Sequence, residues 1–117
     1  MLDIGDKAMA KTVIEIPDMM NKELTEIKQV LAQNKEQLLR DYKVKEIGIF
    51  GSYVRSEQKK NSDLDILVEF EEPIGLFKFM DLEEYLKNLL GIKIDLVSKK
   101  ALKPYIGKYI LDEVVYI

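Results

Sequence analysis

The chain contains no cysteine and no histidine. The first absence excludes disulfides, zinc–thiolate centres and thiol nucleophiles, and the second removes the commonest general base and every imidazole metal ligand. Any chemistry must therefore rest on carboxylates, hydroxyls, lysines, arginines and bound ions. No run of about eighteen apolar residues is present that could cross a membrane. The opening MLDIGDKAMA carries Asp3 and Asp6 where a secretory signal would have a basic and then an apolar segment. These features predict a soluble, cytoplasmic protein. A basic excess is missing too. The net charge of -3 argues against a general nucleic-acid binder and makes nucleic acid an unlikely partner.

What remains is an ordinary globular composition, 47% hydrophobic and 33% charged over 117 residues, the size of one domain. A large substrate must then bring its own surface. No internal repeat or low-complexity linker divides the chain, so residues 1–20 are assigned as an N-terminal arm of unknown role and 21–117 as one domain. Residues 12–16 read as a short strand or an ordered arm before Pro17.

From Asn21 to about Tyr42, Leu24, Ile27, Leu31, Leu38 and Tyr42 recur at helical spacing and predict one amphipathic helix. Val44–Phe50 reads as a strand ending at Gly51. Leu64–Phe70 reads as a second, with Leu64, Ile66, Val68 and Phe70 on one face and Asp63, Asp65, Leu67 and Glu69 on the other. Residues 76–90 put Phe77, Met80, Leu82, Leu86, Leu89 and Leu90 on a broad helical stripe that stops at Gly91. Ile92–Val97 is a third strand, and Pro104 opens a last helix expected to bury Ile106, Tyr109 and Ile110. With a short helix after Gly51, the order predicts an α/β (α+β) layer fold, a small sheet flanked by helices.

Within this frame the stretch GSYVRSEQKKNSDLD sets a Gly-Ser turn ten residues ahead of an Asp-x-Asp pair. Alternation on a strand brings residues i and i+2 to one face about 7 Å apart, so Asp63 and Asp65 can converge on a common point. Convergent carboxylates repel unless a cation lies between them, and hard oxygen ligands suit Mg²⁺ or Mn²⁺ with phosphate completing the shell. Gly51 allows backbone N–H groups to approach an anion, and Ser52 adds a hydroxyl donor. Asp95 lies in the Lys93-Asp95-Val97 register of the third strand and joins the pair if that strand lies beside the second. Three carboxylates and two ions suit in-line displacement at phosphorus, which needs no histidine. Arg55 either faces phosphate or is a solvated helix arginine. Lys99, Lys100 and Lys103 either meet pyrophosphate or form a solvated charge run.

The pattern G-S, ten residues, D-x-D and a later aspartate resembles the nucleotidyltransferase superfamily that includes DNA polymerase beta and the aminoglycoside nucleotidyltransferases. The flanks IFGSYVRSEQKKNSDLDILVEF and GIKIDLVSKKALKP are similar to its minimal members, the MNT antitoxins of HEPN/MNT toxin–antitoxin systems. The resemblance covers about residues 21–117. It implies Gly51, Ser52 and Arg55 as nucleotide-binding residues, and Asp63, Asp65 and Asp95 as catalytic residues and ligands of two Mg²⁺ ions, with Asp95 the base for the acceptor hydroxyl. It further implies AMP transfer from ATP to a tyrosine of a HEPN toxin. One departure is Ser56, where the family pattern continues G-S-x-x-x-G; a serine is expected to fit the short helix there. Transfer to a small molecule or an RNA end, and inhibition of a toxin by binding alone, are the competing expectations, and an apolar helix patch would allow a homodimer.

Overall fold

The computed structural model describes residues 23–117; the arm assigned to 1–20, the short strand at 12–16 and the start of the first helix lie outside them. Helices α1 (Leu24–Gln33) and α2 (Lys35–Tyr42) precede strand β1 (Val44–Phe50) and a single 3₁₀ turn at Gly51–Tyr53. Strand β2 (Leu64–Phe70), helix α3 (Leu76–Leu90) and strand β3 (Ile94–Ser98) follow. A second 3₁₀ turn at Lys99–Ala101, helix α4 (Pro104–Glu113) and strand β4 (Val115–Tyr116) complete the chain. The sheet order is β3-β2-β1-β4. β1 runs antiparallel to both β2 and β4, whereas β2 and β3 are parallel. A parallel pair needs a crossover, and α3 supplies it. The predicted α/β class with a small mixed sheet is the observed one.

The core forms on one face of this sheet. Ile47 and Ile49 from β1, Leu64, Ile66 and Val68 from β2, and Ile94 and Leu96 from β3 meet Ile27 and Leu31 of α1, Leu38 of α2, and Leu82, Leu86 and Leu90 of α3. Each fully buried aliphatic side chain contributes about 1.5–3 kcal/mol relative to exposure. This one-sided core fixes strand register, because a slip of one residue would turn the apolar set of β2 outward and bring Asp65 into the core. Among the described residues, no helix is long and apolar enough to cross a membrane.

Several expectations are corrected. The single helix to Tyr42 is broken at Asn34, whose backbone leaves the helical region (φ -107°, ψ 8°). The Asn34 amide nitrogen donates to the Val30 carbonyl at 2.8 Å, and its amide oxygen accepts from the Tyr85 hydroxyl at 3.2 Å. A side chain competing for backbone partners in this way interrupts a helix while leaving its apolar spacing intact. Next, α3 turns Phe79, Leu82, Leu86 and Leu90 toward the sheet and leaves Phe77 and Met80 exposed. At 3.6 residues per turn these two lie roughly 140° and 160° around the helix from Leu82, beyond the stripe one sheet can cover.

The third correction concerns α4, where Ile106 and Tyr109 are exposed, Ile110 is half-buried, and the buried residue is Gly107. A Cβ on Gly107 would stand 3.2 Å from that of Leu102, so the inward position of this helix is taken by a residue with no side chain. Finally, the sheet has a fourth strand. Two residues, Val115 and Tyr116, pair with Ile49 and Gly48, too short a stretch for an alternation pattern to register.

Ser56 does not sit in a helix. It adopts the left-handed conformation (φ +59°) in the turn that follows Tyr53, where a residue with a Cβ is strained by about 1–2 kcal/mol. That accounts for glycine in the G-S-x-x-x-G pattern. Ser56→Gly is expected to raise the melting temperature by a few degrees, read by thermal denaturation, because relief of the strain outweighs the added freedom of the unfolded chain.

Candidate active site

The site lies at the end of β1 and the start of β2 and β3. In the parallel pair Asp65 stands directly beside Asp95, and in the antiparallel pair Phe50 stands beside Asp65. Leu64 and Ile94, the preceding residues, are buried, so alternation sends both aspartates to the opposite face. The sequence condition for Asp95, that the third strand lie beside the second, is therefore met. Asp63 is exposed and precedes the strand. Among the described residues, no three carboxylates are grouped tightly enough to enclose a metal ion. The close pair is Asp65 and Asp95, with Asp63 beside it.

Crowding leaves a chemical mark. The Asp65 carboxyl is pushed up to about 6, first by burial, then by the charge of Asp95, a hydrogen bond to Asp95 and the charge of Asp63, with Arg55 acting in the opposite direction. Two adjacent carboxylates that share a hydrogen bond hold a proton more tightly than either would alone. A divalent cation can relieve the same repulsion, and the donor set is hard oxygen throughout, so the residues fit Mg²⁺ or Mn²⁺.

Gly51 makes this placement of Asp65 possible. Its φ is +82°, and a Cβ built on it would overlap the Asp65 carboxylate. The Gly51 N–H donates to Glu113 Oε2 at 2.6 Å, so this donor is already taken by a side chain from the end of α4. The half-buried Ser52 sits in the same turn. Arg55 donates from Nε to Glu57 Oε1 at 2.9 Å and from Nη1 to Glu113 Oε1 at 2.5 Å, so the guanidinium is not simply solvated. Glu113 was not legible in the sequence, because nothing in the spacing of ILDEVVYI links it to a turn 62 residues earlier.

Of the lysines after β3, Lys99 Nζ lies 3.7 Å from Glu69 Oε1. Lys99 and Lys103, with Lys108 and Asp112, line a cleft of about 450 Å³ along α4. Lys100 faces a separate cavity of about 330 Å³ at the far ends of β2 and β3, between Phe70, Phe79 and Ser98. That cavity is removed from the aspartates by the length of the strands.

A family model described as a nucleotidyltransferase domain matches residues 27–117. The chain belongs to the nucleotidyltransferase family. Among its relatives, a Thermococcus cleftensis protein named protein adenylyltransferase MntA is 54% identical over 94 residues, spanning 80% of this chain and 95% of its own. A Methanocaldococcus jannaschii protein, provisionally named a protein adenylyltransferase, is 52% identical over 97 residues, 82% of this chain and 99% of its own. A solved structure provisionally described as a minimal nucleotidyltransferase superposes with a TM-score of 0.63 at 32% identity, covering 76% of this chain and 93% of that one. A chain of a toxin–antitoxin crystal structure with AMP-PNP superposes with a TM-score of 0.61 at 27% identity, covering 72% of this chain and 69% of that one. The nucleotidyltransferase is an enzyme, and its resemblance to known MNT proteins holds across fold and sequence.

Two outcomes follow from the geometry. Gly51→Ala is expected to abolish nucleotidyl transfer, measured as release of pyrophosphate from ATP, because the added methyl both displaces the Asp65 carboxylate and strains the backbone. The raised Asp65 pKa means the folded state favours the protonated carboxyl, so this group stabilises the protein fully below the ordinary value of 3.8, and the contribution is lost as pH rises through about 6. In the absence of divalent ions, the melting temperature of the wild type relative to Asp65→Asn should therefore fall between pH 4 and 7. Equal pH profiles for the two proteins would refute the assignment.

Proposed function

We propose that this nucleotidyltransferase transfers AMP from ATP to a tyrosine hydroxyl of a partner toxin of the HEPN family and acts as its cytoplasmic antitoxin. The observation that carries the reading is the Asp65–Asp95 pair set beside the Gly51–Ser52 turn. The names and the AMP-PNP complex of the relatives support the nucleotide and the toxin partner.

In this reading the Ser52 hydroxyl and the Arg55 guanidinium hold the triphosphate, and Asp63, Asp65 and Asp95 are the metal ligands. When bound there, Mg²⁺ neutralises charge on the triphosphate and on the carboxylates that hold it. The partner's hydroxyl is set in line with the α-phosphorus, and Asp95 accepts its proton. A new O–P bond forms to the tyrosine oxygen while the bond between the α-phosphorus and the bridging oxygen to the β-phosphate breaks. Pyrophosphate then leaves with that electron pair. The acceptor rests on its own protein, so the enzyme needs only one open face, where the aspartates are half-buried or exposed.

The test is the intact mass of the partner protein after incubation with the enzyme, ATP and Mg²⁺. The expected result is a gain of one or more AMP units, absent with the Asp63→Asn, Asp65→Asn double variant, whose loss in rate should be on the order of 10³-fold or more. If the partner gains no mass yet the double variant still protects cells from it, the protein inhibits by binding and the catalytic reading fails.

A further inference from the structure

The Glu113 carboxylate joins two groups that the nucleotide site also needs. One oxygen accepts the Gly51 N–H at 2.6 Å, and the other accepts Arg55 Nη1 at 2.5 Å. Glu113 is the last residue of α4, and the structure fastens the segment behind it at several points. Val115 and Tyr116 pair with β1, the Ile117 N–H donates to the Ile47 carbonyl at 3.0 Å, and Lys35 Nζ donates to the Ile117 carbonyl at 2.8 Å. Gly48 leaves room for this approach, since a Cβ there would meet Val114 Cγ2 at 2.6 Å. The C-terminal segment is thus seated on β1 so that Glu113 reaches the turn at its end.

Two physical consequences follow. Gly51 at φ +82° has the backbone freedom of a glycine, and a charge-assisted bond to its N–H holds it in this one conformation. Arg55 is on an irregular, exposed turn and would sample many rotamers if free. Glu113 and Glu57 engage one donor each on Nη1 and Nε, leaving further donors of its five for an anion. A fixed guanidinium and a fixed turn lose less freedom when ligand arrives.

We propose that Glu113 is a positioning residue of the nucleotide site: its carboxylate holds the Gly51–Ser52 turn and the Arg55 guanidinium in the arrangement that receives the triphosphate of ATP. The inference rests on the reading of Ser52 and Arg55 as triphosphate donors. Glu113 acts through these groups and touches no reacting atom.

The experiment measures ATP affinity in the presence of Mg²⁺ by titration calorimetry on the full chain, alongside melting temperature. Glu113→Gln keeps an acceptor for the Gly51 N–H but loses the ion pair, and is expected to weaken ATP binding by about tenfold. Glu113→Asp, which retains the charge, should recover part of the loss. Adding Glu113→Gln to Arg55→Gln should weaken binding by less than about twofold further, because the two residues act as a unit. Lys35→Ala loosens the same C-terminal segment without touching the turn and should leave affinity unchanged, which a merely structural role for Glu113 would not separate. Should Glu113→Ala fail to fold, the Gln and Asp variants still decide the outcome. If Ser52→Ala lowers ATP affinity but Glu113→Gln leaves it unchanged, this inference alone is overturned. Tighter ATP binding by Glu113→Gln would also overturn it, since Glu113 would then be competing with phosphate for Arg55. If ATP affinity is the same in the wild type and Ser52→Ala, the reading of the site itself fails and takes this inference with it.

Discussion

The Asp65 carboxylate stands in the space where any residue but glycine at position 51 would carry its Cβ. Much of the site follows from that one steric constraint. Because the turn is bare, β1 can end against the start of β2 with an acid directly beside it. Asp95 lies next to it because the parallel neighbour pairs with β2 in that register. The cost falls on the Asp65 carboxyl, whose pKa is raised first by burial and then by the charge of Asp95, which leaves the pair suited to a divalent cation.

The other face of the sheet makes this crowding tolerable. A core on the α1–α3 side holds β2 in register through Leu64, Ile66 and Val68, so the alternate positions turn to the other face, where Asp65 is half-buried and Leu67 is buried. The α4–β4 segment contributes little to the core: of its helix only Gly107 is buried, and Tyr105, Ile106 and Tyr109 remain exposed. Its weight falls on the site face instead, through Glu113 and through the lysine-lined cleft along α4.

Sequence reading succeeded where one local rule decided the outcome. β2 and α3 stand at the expected Leu64–Phe70 and Leu76–Leu90, because Leu64, Ile66, Val68 and Phe70 alternate on one face of the strand and Gly91 ends the helix in the left-handed conformation that glycine favours. It failed where a tertiary partner overrode the pattern. Asn34 broke a continuous apolar spacing by bonding to Val30 and Tyr85, and Gly107 took the inward place on α4 that periodicity would give to Ile106 or Tyr109. The short helix expected to take in Ser56 gives way to a left-handed turn at that residue.

By itself the sequence determined which chemistry was open to this protein. With no histidine or cysteine, chemistry was left to carboxylates, hydroxyls, lysines, arginines and bound ions, and a Gly-Ser turn ten residues before an Asp-x-Asp pair singled out the aspartates as candidates. Strand alternation also set the face on which Asp65 would lie. Only the tertiary structure decided which acids meet. It placed Asp95 beside Asp65 through the parallel pairing of β2 and β3, and it carried Glu113 across 62 residues to the Gly51 N–H. Both depend on how strands pair and how a terminal segment docks, and those long-range contacts leave no periodic trace in the chain.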